Sequence, residues 1–278
     1  MIRFTQYIMR TFFLYLGLLI GVNSFAQKGI DGLIQAEKNF AAYSVANGTK
    51  DAFLANMDSS SIVFDEYKPS SGIKVWTARK SSKAVLNWGP AYAEISVSND
   101  FGYTTGPWTY RLPGTDSVIA RGFFATLWHI NKEGKWIFLV DLGVNKTPVA
   151  NDKTTVQVAA AKTSVKTSDT ADFIKVERDF IRLFNHDSSA AYSKYLSLNS
   201  LVNRNGYLPA VTAAEQKTLI NSTSAAIQFT IDGWILSPGK DMACVYGSTM
   251  LNDKPDNYMR IWRHEKDGWK IALEILHH

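Results

Sequence analysis

The chain has a single cysteine, Cys244, in 278 residues. One thiol excludes an internal disulfide framework and any paired-cysteine zinc or redox site, so core packing has to hold the fold. Within the apolar run MACVYG, Cys244 reads as a small buried hydrophobe. Histidine is scarce: His129, His186, His264, His277 and His278 are the full set, and none forms the i, i+4 helical pair with an acid that zinc hydrolases use. No metal is expected. A serine nucleophile elbow, a phosphate-cradling glycine loop and a Cys-x-x-Cys pair are also missing, and no cofactor is implied.

Charge of one sign is lacking as well. Residues 1–26 hold Arg3, Arg10 and no acid, and the remainder carries 28 basic against 25 acidic side chains. That balance gives no nucleic-acid signal, and the densest basic run, Arg79-Lys80-Ser81-Ser82-Lys83, reads as a solvated face. Long apolar runs are confined to TFFLYLGLLIGV, residues 11–22, which falls short of the roughly 20 residues a spanning helix needs. With the two arginines before it and Ser24-Phe25-Ala26 after it, residues 1–26 are expected to be a signal peptide cut after Ala26. The mature protein is then expected to be exported, periplasmic or secreted, with no membrane segment left.

What is present is a repeat. KEGKWIFLVDLG, residues 132–143, returns as KDGWKIALEIL at 266–276, with Trp136 and Trp269 each five residues ahead of Asp141 and Glu274. Upstream, Ala36-Glu37-Lys38-Asn39-Phe40 matches Val176-Glu177-Arg178-Asp179-Phe180. Apolar residues at Leu33, Ala36, Phe40 and Tyr43, and again at Phe173, Val176, Phe180 and Leu183, recur at helical spacing. Short second helices follow (DAFLANM and AAYSKYL), then strands (SIVFDEY and SLVNRNGY). Each copy closes with a meander: 101–111, 119–130 and 136–142, then 242–250, 257–264 and 269–276. Tight turns are expected at Asn131-Lys132-Glu133-Gly134 and Glu265-Lys266-Asp267-Gly268. Residues 144–171 have linker composition, without an aromatic. The expectation is an α+β chain of two tandem domains, 27–143 and 172–278, each with N-terminal helices packed on one face of an antiparallel sheet.

The AEKNF and VERDF helix cores, the GYTTG strand and the Trp-turn-Trp endings (Trp128 to Trp136, Trp262 to Trp269) resemble the nuclear-transport-factor-2-like superfamily. The nearest branch is its SnoaL-like and ketosteroid-isomerase-like one, with exported domains of unknown function. The resemblance implies a cone-shaped fold, a curved sheet around a long helix with an apolar pocket, and frequent pairing into dimers. It implies no single activity, because the family hosts isomerases, cyclases, dehydratases and members without known activity.

In the family's enzymes a pocket carboxylate or His acts as base beside a Tyr or a protonated acid. Asp65, His129 and Tyr103 are the candidates that this implies here. Each has a structural alternative: Asp65 a solvated strand end, Tyr103 a packing residue, His129 an outward strand position matched by Arg263. Alternation from Trp136, Phe138 and Val140 sets Asp141 on the opposite face, and Glu274 likewise, which reads as a structural role. Trp76, Trp88 and Trp108, with Tyr103, Phe40 and Tyr43, form the candidate lining for a flat or apolar ligand. The matching stretch of the second copy, VTAAEQKTLINSTSAAIQF, is small and polar. Ligand binding in the first domain leads; acid–base enzymology and an intramolecular pseudo-dimer or homodimer are the alternatives.

Overall fold

The computed structural model describes residues 27–115, 117–145, 157–159 and 170–278. The expected signal peptide and most of the 144–171 stretch lie outside them.

The first half opens with α1 (Ile30–Asn47) and α2 (Thr49–Ala55). In α1 the buried face is Leu33, Glu37, Phe40, Ala41 and Ser44, spaced at one and two helical turns. β1 (Ile62–Asp65) and β2 (Lys68–Ser71) form a hairpin that leads into α3 (Gly72–Ala78). β3 (Val85–Trp88), β4 (Tyr92–Ile95), β5 (Phe101–Arg111), β6 (Val118–Ile130) and β7 (Trp136–Asn145) follow. The second half runs α4 (Thr170–His186), α5 (Ser188–Tyr195), β9 (Leu196–Arg204), α6 (Ala213–Ser222), β10 (Gln228–Leu236), β11 (Met242–Leu251), β12 (Lys254–Glu265) and β13 (Gly268–Leu276). Between the halves, in sequence of linker composition, β8 (Gln157–Ala159) pairs parallel to β4.

The strands form two sheets, β2-β1-β7-β6-β5-β4-β8 with β3 also on β5, and β10-β11-β12-β13-β9. The repeat is therefore topological: β1, β7, β6 and β5 correspond to β9, β13, β12 and β11. Both sheets are mixed, because the strand after the second helix runs parallel to the last one, β1 beside β7 and β9 beside β13. The meander turns are as expected, with Gly134 and Gly268 at φ 75° and 108°, where a side chain would be strained.

Both copies carry a bulge at the same place. Leu127 pairs with Val140 but Trp128 with Phe138, which leaves Leu139 unpaired; Ile261 pairs with Leu273 and Trp262 with Ile271, which leaves Ala272 unpaired. An extra residue switches which side chains face which way along the strand. Simple alternation therefore fails beyond Phe138. Asp141 and Glu274 end on the same side as Trp136 and Trp269, facing the helices.

That helix-facing side holds one core per half. Leu33, Phe40, Phe53, Trp128 and Phe138 belong to the first; Phe173, Phe180, Tyr192, Trp262 and Ile271 to the second. The other faces of the two sheets meet in a shared cluster that includes Tyr103, Leu127 and Leu142 with Cys244, Met259 and Leu273. Each fully buried large apolar side chain stabilises by roughly 1.5–3 kcal/mol. Polar ties edge this contact: Arg263 Nη1 donates to both carboxylate oxygens of Glu94 at 2.8 Å, and Asp241 accepts from the Val97 amide at 2.9 Å. Among the described residues no helix is long and apolar enough to cross a membrane.

Candidate functional site

The loop and strand order of the first half leaves a cavity of about 360 Å³ between its sheet and α2–α3. Trp88 on β3 stands directly across the ladder from Trp108 on β5, giving one aromatic wall. Trp108 can lie flat because its neighbour is Gly122: a Cβ there would sit 2.7 Å from the indole. Trp76 from α3 stacks on Phe53 with ring centres 4.0 Å apart, and Phe124 adds a further aromatic surface. Arg79, just past α3, lies over the Trp76 ring at 4.5 Å. The second half contributes Asn257 and His277, the latter fixed by contacts to the Gly143 carbonyl at 2.7 Å and to Asp256 at 2.9 Å.

One carboxyl reaches this apolar space. Asp141 lines the cavity, accepts from Thr126 Oγ1 at 2.7 Å, and has no cation partner among the described residues; burial pushes its pKa up to about 6. Behind Trp88 stands a second acid, Glu37, fully buried on α1. It accepts from Trp128 Nε1 at 2.9 Å, from Trp88 Nε1 and from Thr104 Oγ1. Burial raises its pKa to about 7 against the opposing pull of Thr104 and Trp88, with the nearby Asp141 adding to the rise.

The second half has acids in the same places, Glu177 and Glu274, but pairs them with buried arginines. Trp262 Nε1 donates to Glu177 at 2.8 Å, as Trp128 does to Glu37. Arg260 there bridges Glu177 and Glu274, while Arg204 Nη2 and the Tyr192 hydroxyl reach Glu274 at 2.5 and 2.6 Å. Burial acts to raise Glu274, but Arg204 and Arg260 outweigh it and hold its pKa below the usual carboxylate value. By ladder position Arg260 corresponds to Thr126, and Arg204 to Asp65.

The structure distributes the residues singled out from sequence unequally. Trp76, Trp88 and Trp108 line the cavity. Phe40 lies behind Trp88, edge-on at 4.7 Å in the closed core. Tyr43 is exposed, because the buried helical face turns through Glu37, Ala41 and Ser44 and leaves it outside. Tyr103 points to the opposite side of the sheet and donates to Glu94 at 2.8 Å within the inter-sheet contact, where burial and Glu94 push its pKa well up. Asp65 is exposed at the end of β1, with only a 3.9 Å contact to Arg79. His129 is half-buried beside the Asn131–Gly134 turn, opposite Phe101 and Ile137, its pKa lowered by burial. The pairing of Ile62 with Val140 puts Asp65 level with Gly143, six strand residues from Ile137 and so about 20 Å from His129. Asp65, His129 and Tyr103 thus do not converge. Glu37 and Asp141 share the helix-facing side, near enough that Asp141 adds to the rise in the Glu37 pKa, and sequence reasoning missed both in this position. The signal for Glu37 was in the sequence: a charged residue at the same helical position in both copies, in phase with Leu33 and Ala41.

Helices on one face of a meandering sheet, built twice with a cavity in the first copy, define an α+β chain of two like units. The solved structures to which it is similar include a nuclear-transport-factor-2-like protein of unknown function from Shewanella oneidensis, 17% identical, covering 38% of this chain and 96% of that one at a TM-score of 0.31. A ketosteroid isomerase-like protein from Erwinia carotovora atroseptica is 18% identical over 38% of this chain and 92% of that one, at 0.31. A nuclear-transport-factor-2-like protein from Cytophaga hutchinsonii is 15% identical over 39% and 97%, at 0.32. No family model and no curated protein matches the chain.

Proposed function

We propose that this chain is an exported small-molecule-binding protein whose first unit takes a flat, largely apolar ligand between Trp76, Trp88 and Trp108. One observation carries the reading: of two units with acids at the same positions and the same bulge, the first has an aromatic-walled cavity beside its strand acid, Asp141, where in the second Arg204, Arg260 and Tyr192 close on Glu274. The second unit then serves as a partner, packing sheet to sheet as an intramolecular pseudo-dimer and supplying Asn257 and His277 to the cavity wall. Export rests on the reading of residues 1–26. The test is a titration of purified protein with a panel of flat aromatic compounds, followed by tryptophan fluorescence and thermal shift. At least one compound should give a saturable change that Trp108→Ala abolishes. A panel without any response overturns the proposal.

A second reading, proton transfer, is favoured by a carboxyl of pKa about 6 in an apolar cavity. It replaces Asp65, His129 and Tyr103 with Asp141. Proton–deuterium exchange into bound ketones, lost in Asp141→Asn, would support it; exchange at the solvent rate would dismiss it.

A further inference from the structure

The two units differ in charge. In the second, Glu177 and Glu274 are matched by Arg260 and Arg204, all four side chains buried. The Arg260 guanidinium is also caged by aromatic rings, 4.3 Å from the centres of Phe180 and Phe229 and 4.6 Å from Tyr258. In the first, Glu37 and Asp141 occupy the acid positions, but Thr126 and Asp65 stand where the two arginines stand in the second. Aromatic rings are kept: Phe40 corresponds to Phe180, and Phe124, on the cavity wall, to Tyr258. What the first unit lacks is a cation on these acids: Trp88 Nε1 takes the place on Glu37 that Arg260 takes on Glu177, while Asp141, on the cavity wall, has Thr126 Oγ1 where Glu274 has Arg260.

We infer that the cavity of the first unit binds a small organic cation, an aryl or alkyl ammonium, amidinium or guanidinium, against Asp141, whose counterpart Glu274 is held by Arg260 and Arg204 in the second unit. The inference rests on the ligand-binding reading above and adds the charge of the ligand. Trp88 and Trp108 supply π surface, for which a desolvated cation gains more than a neutral isostere, while Trp76 is already sandwiched between Phe53 and Arg79. Asp141 supplies a charge-assisted acceptor within the cavity, and Glu37 a second negative charge behind Trp88. The other charged or titratable groups around the site are Arg79, with Asp65 beside it, and His277 held against Asp256. Arg79 lies over Trp76 on the cavity lining with its side chain 45% exposed, so its own charge is partly screened by water and by the neighbouring Asp65.

The test is calorimetric titration of the whole chain with three near-isosteric probes, benzamidinium, benzamide and benzoate, at pH 8 and pH 5. At pH 8 benzamidinium should bind about tenfold or more tightly than benzamide, equivalent to about 1.4 kcal/mol, with benzoate weakest. The preference should collapse at pH 5, where Glu37 and Asp141 are protonated, and in Asp141→Asn at pH 8. Glu37→Gln gives an independent second variant and should reduce the preference, near-ultraviolet circular dichroism reporting that either variant is folded. Equal binding of benzamide and benzamidinium would overturn the cation inference while leaving the cavity reading intact. Tightest binding of benzoate would overturn it in favour of Arg79 as the charge that selects. Failure of all three probes to bind would overturn the cavity reading itself.

Discussion

Thr126 Oγ1 donates to Asp141 at 2.7 Å across the β6–β7 ladder, at the pair of positions that Arg260 and Glu274 fill between β12 and β13. A hydroxyl in one copy and a guanidinium in the other decide whether the strand acid has a buried cation partner.

Thr126→Arg should therefore convert the first unit toward the second. The new side chain starts beside Asp141, which lines the cavity of about 360 Å³, and on the same side of the sheet as Glu37. Hydrogen bonds to charged groups contribute roughly 1.5–3 kcal/mol each, partly offset by desolvation. A rise in melting temperature at pH 8 is expected by scanning calorimetry, and a fall would show that the cavity does not match a guanidinium.

The reverse change strands acids. Arg260→Leu leaves Glu177 and Glu274 without their shared partner in a buried site, which costs about 3–5 kcal/mol. Adding Glu177→Gln to the same chain should return a substantial part of that loss. Urea unfolding of the single and double variants reads both numbers, and a loss below about 1 kcal/mol for Arg260→Leu would contradict a tightly buried network.

Stability should depend on pH through Glu37. Its folded pKa is about 7 against an ordinary 4.5, so between these values the native state binds more protons than the unfolded chain. Stability is then greatest below about pH 4.5 as far as this group is concerned, falls as pH rises through that window, and levels off above pH 7. The full effect is on the order of 3 kcal/mol. Glu37→Gln should flatten this part of the profile in denaturant titrations from pH 5 to 8. An unchanged slope would mean that the acid is not raised.

Cys244 provides a probe of the contact between the sheets. Its thiol is fully buried in the shared cluster, and burial pushes its pKa well up. Reaction with a disulfide reagent should be slow in the native protein and become fast in urea at the unfolding midpoint. Rapid native labelling would mean that the sheets separate readily.

Much of the fold was legible because it depends on local patterns. β5 begins and ends where the run FGYTTGPWTYR does, and the Gly134 and Gly268 turns follow from the need for positive φ. The short elements between them, α3, α6, β3, β4 and β10, carry weaker periodicity and were not resolved in the reading of the chain. The site was only partly legible. Trp76, Trp88 and Trp108 stood out by their number, but Asp141 was assigned to the wrong face because alternation assumes an unbroken strand. The unpaired Leu139 breaks it, and nothing in LVDLG announces a bulge. Glu37 was hidden by drawing a helical face from apolar residues alone. His129 and Tyr103 were chosen by chemistry without knowledge of facing, and Tyr103 turned out to serve the contact between sheets.

The most direct test of the account is the number of benzamidinium ions bound per chain at pH 8, measured by equilibrium dialysis for the unmodified protein and for Thr126→Arg. One ion in the first case and none in the second is the result predicted by a cavity acid that is without an arginine in the first unit and paired with arginines in the second. Two ions per chain, or one that survives Thr126→Arg, would contradict it.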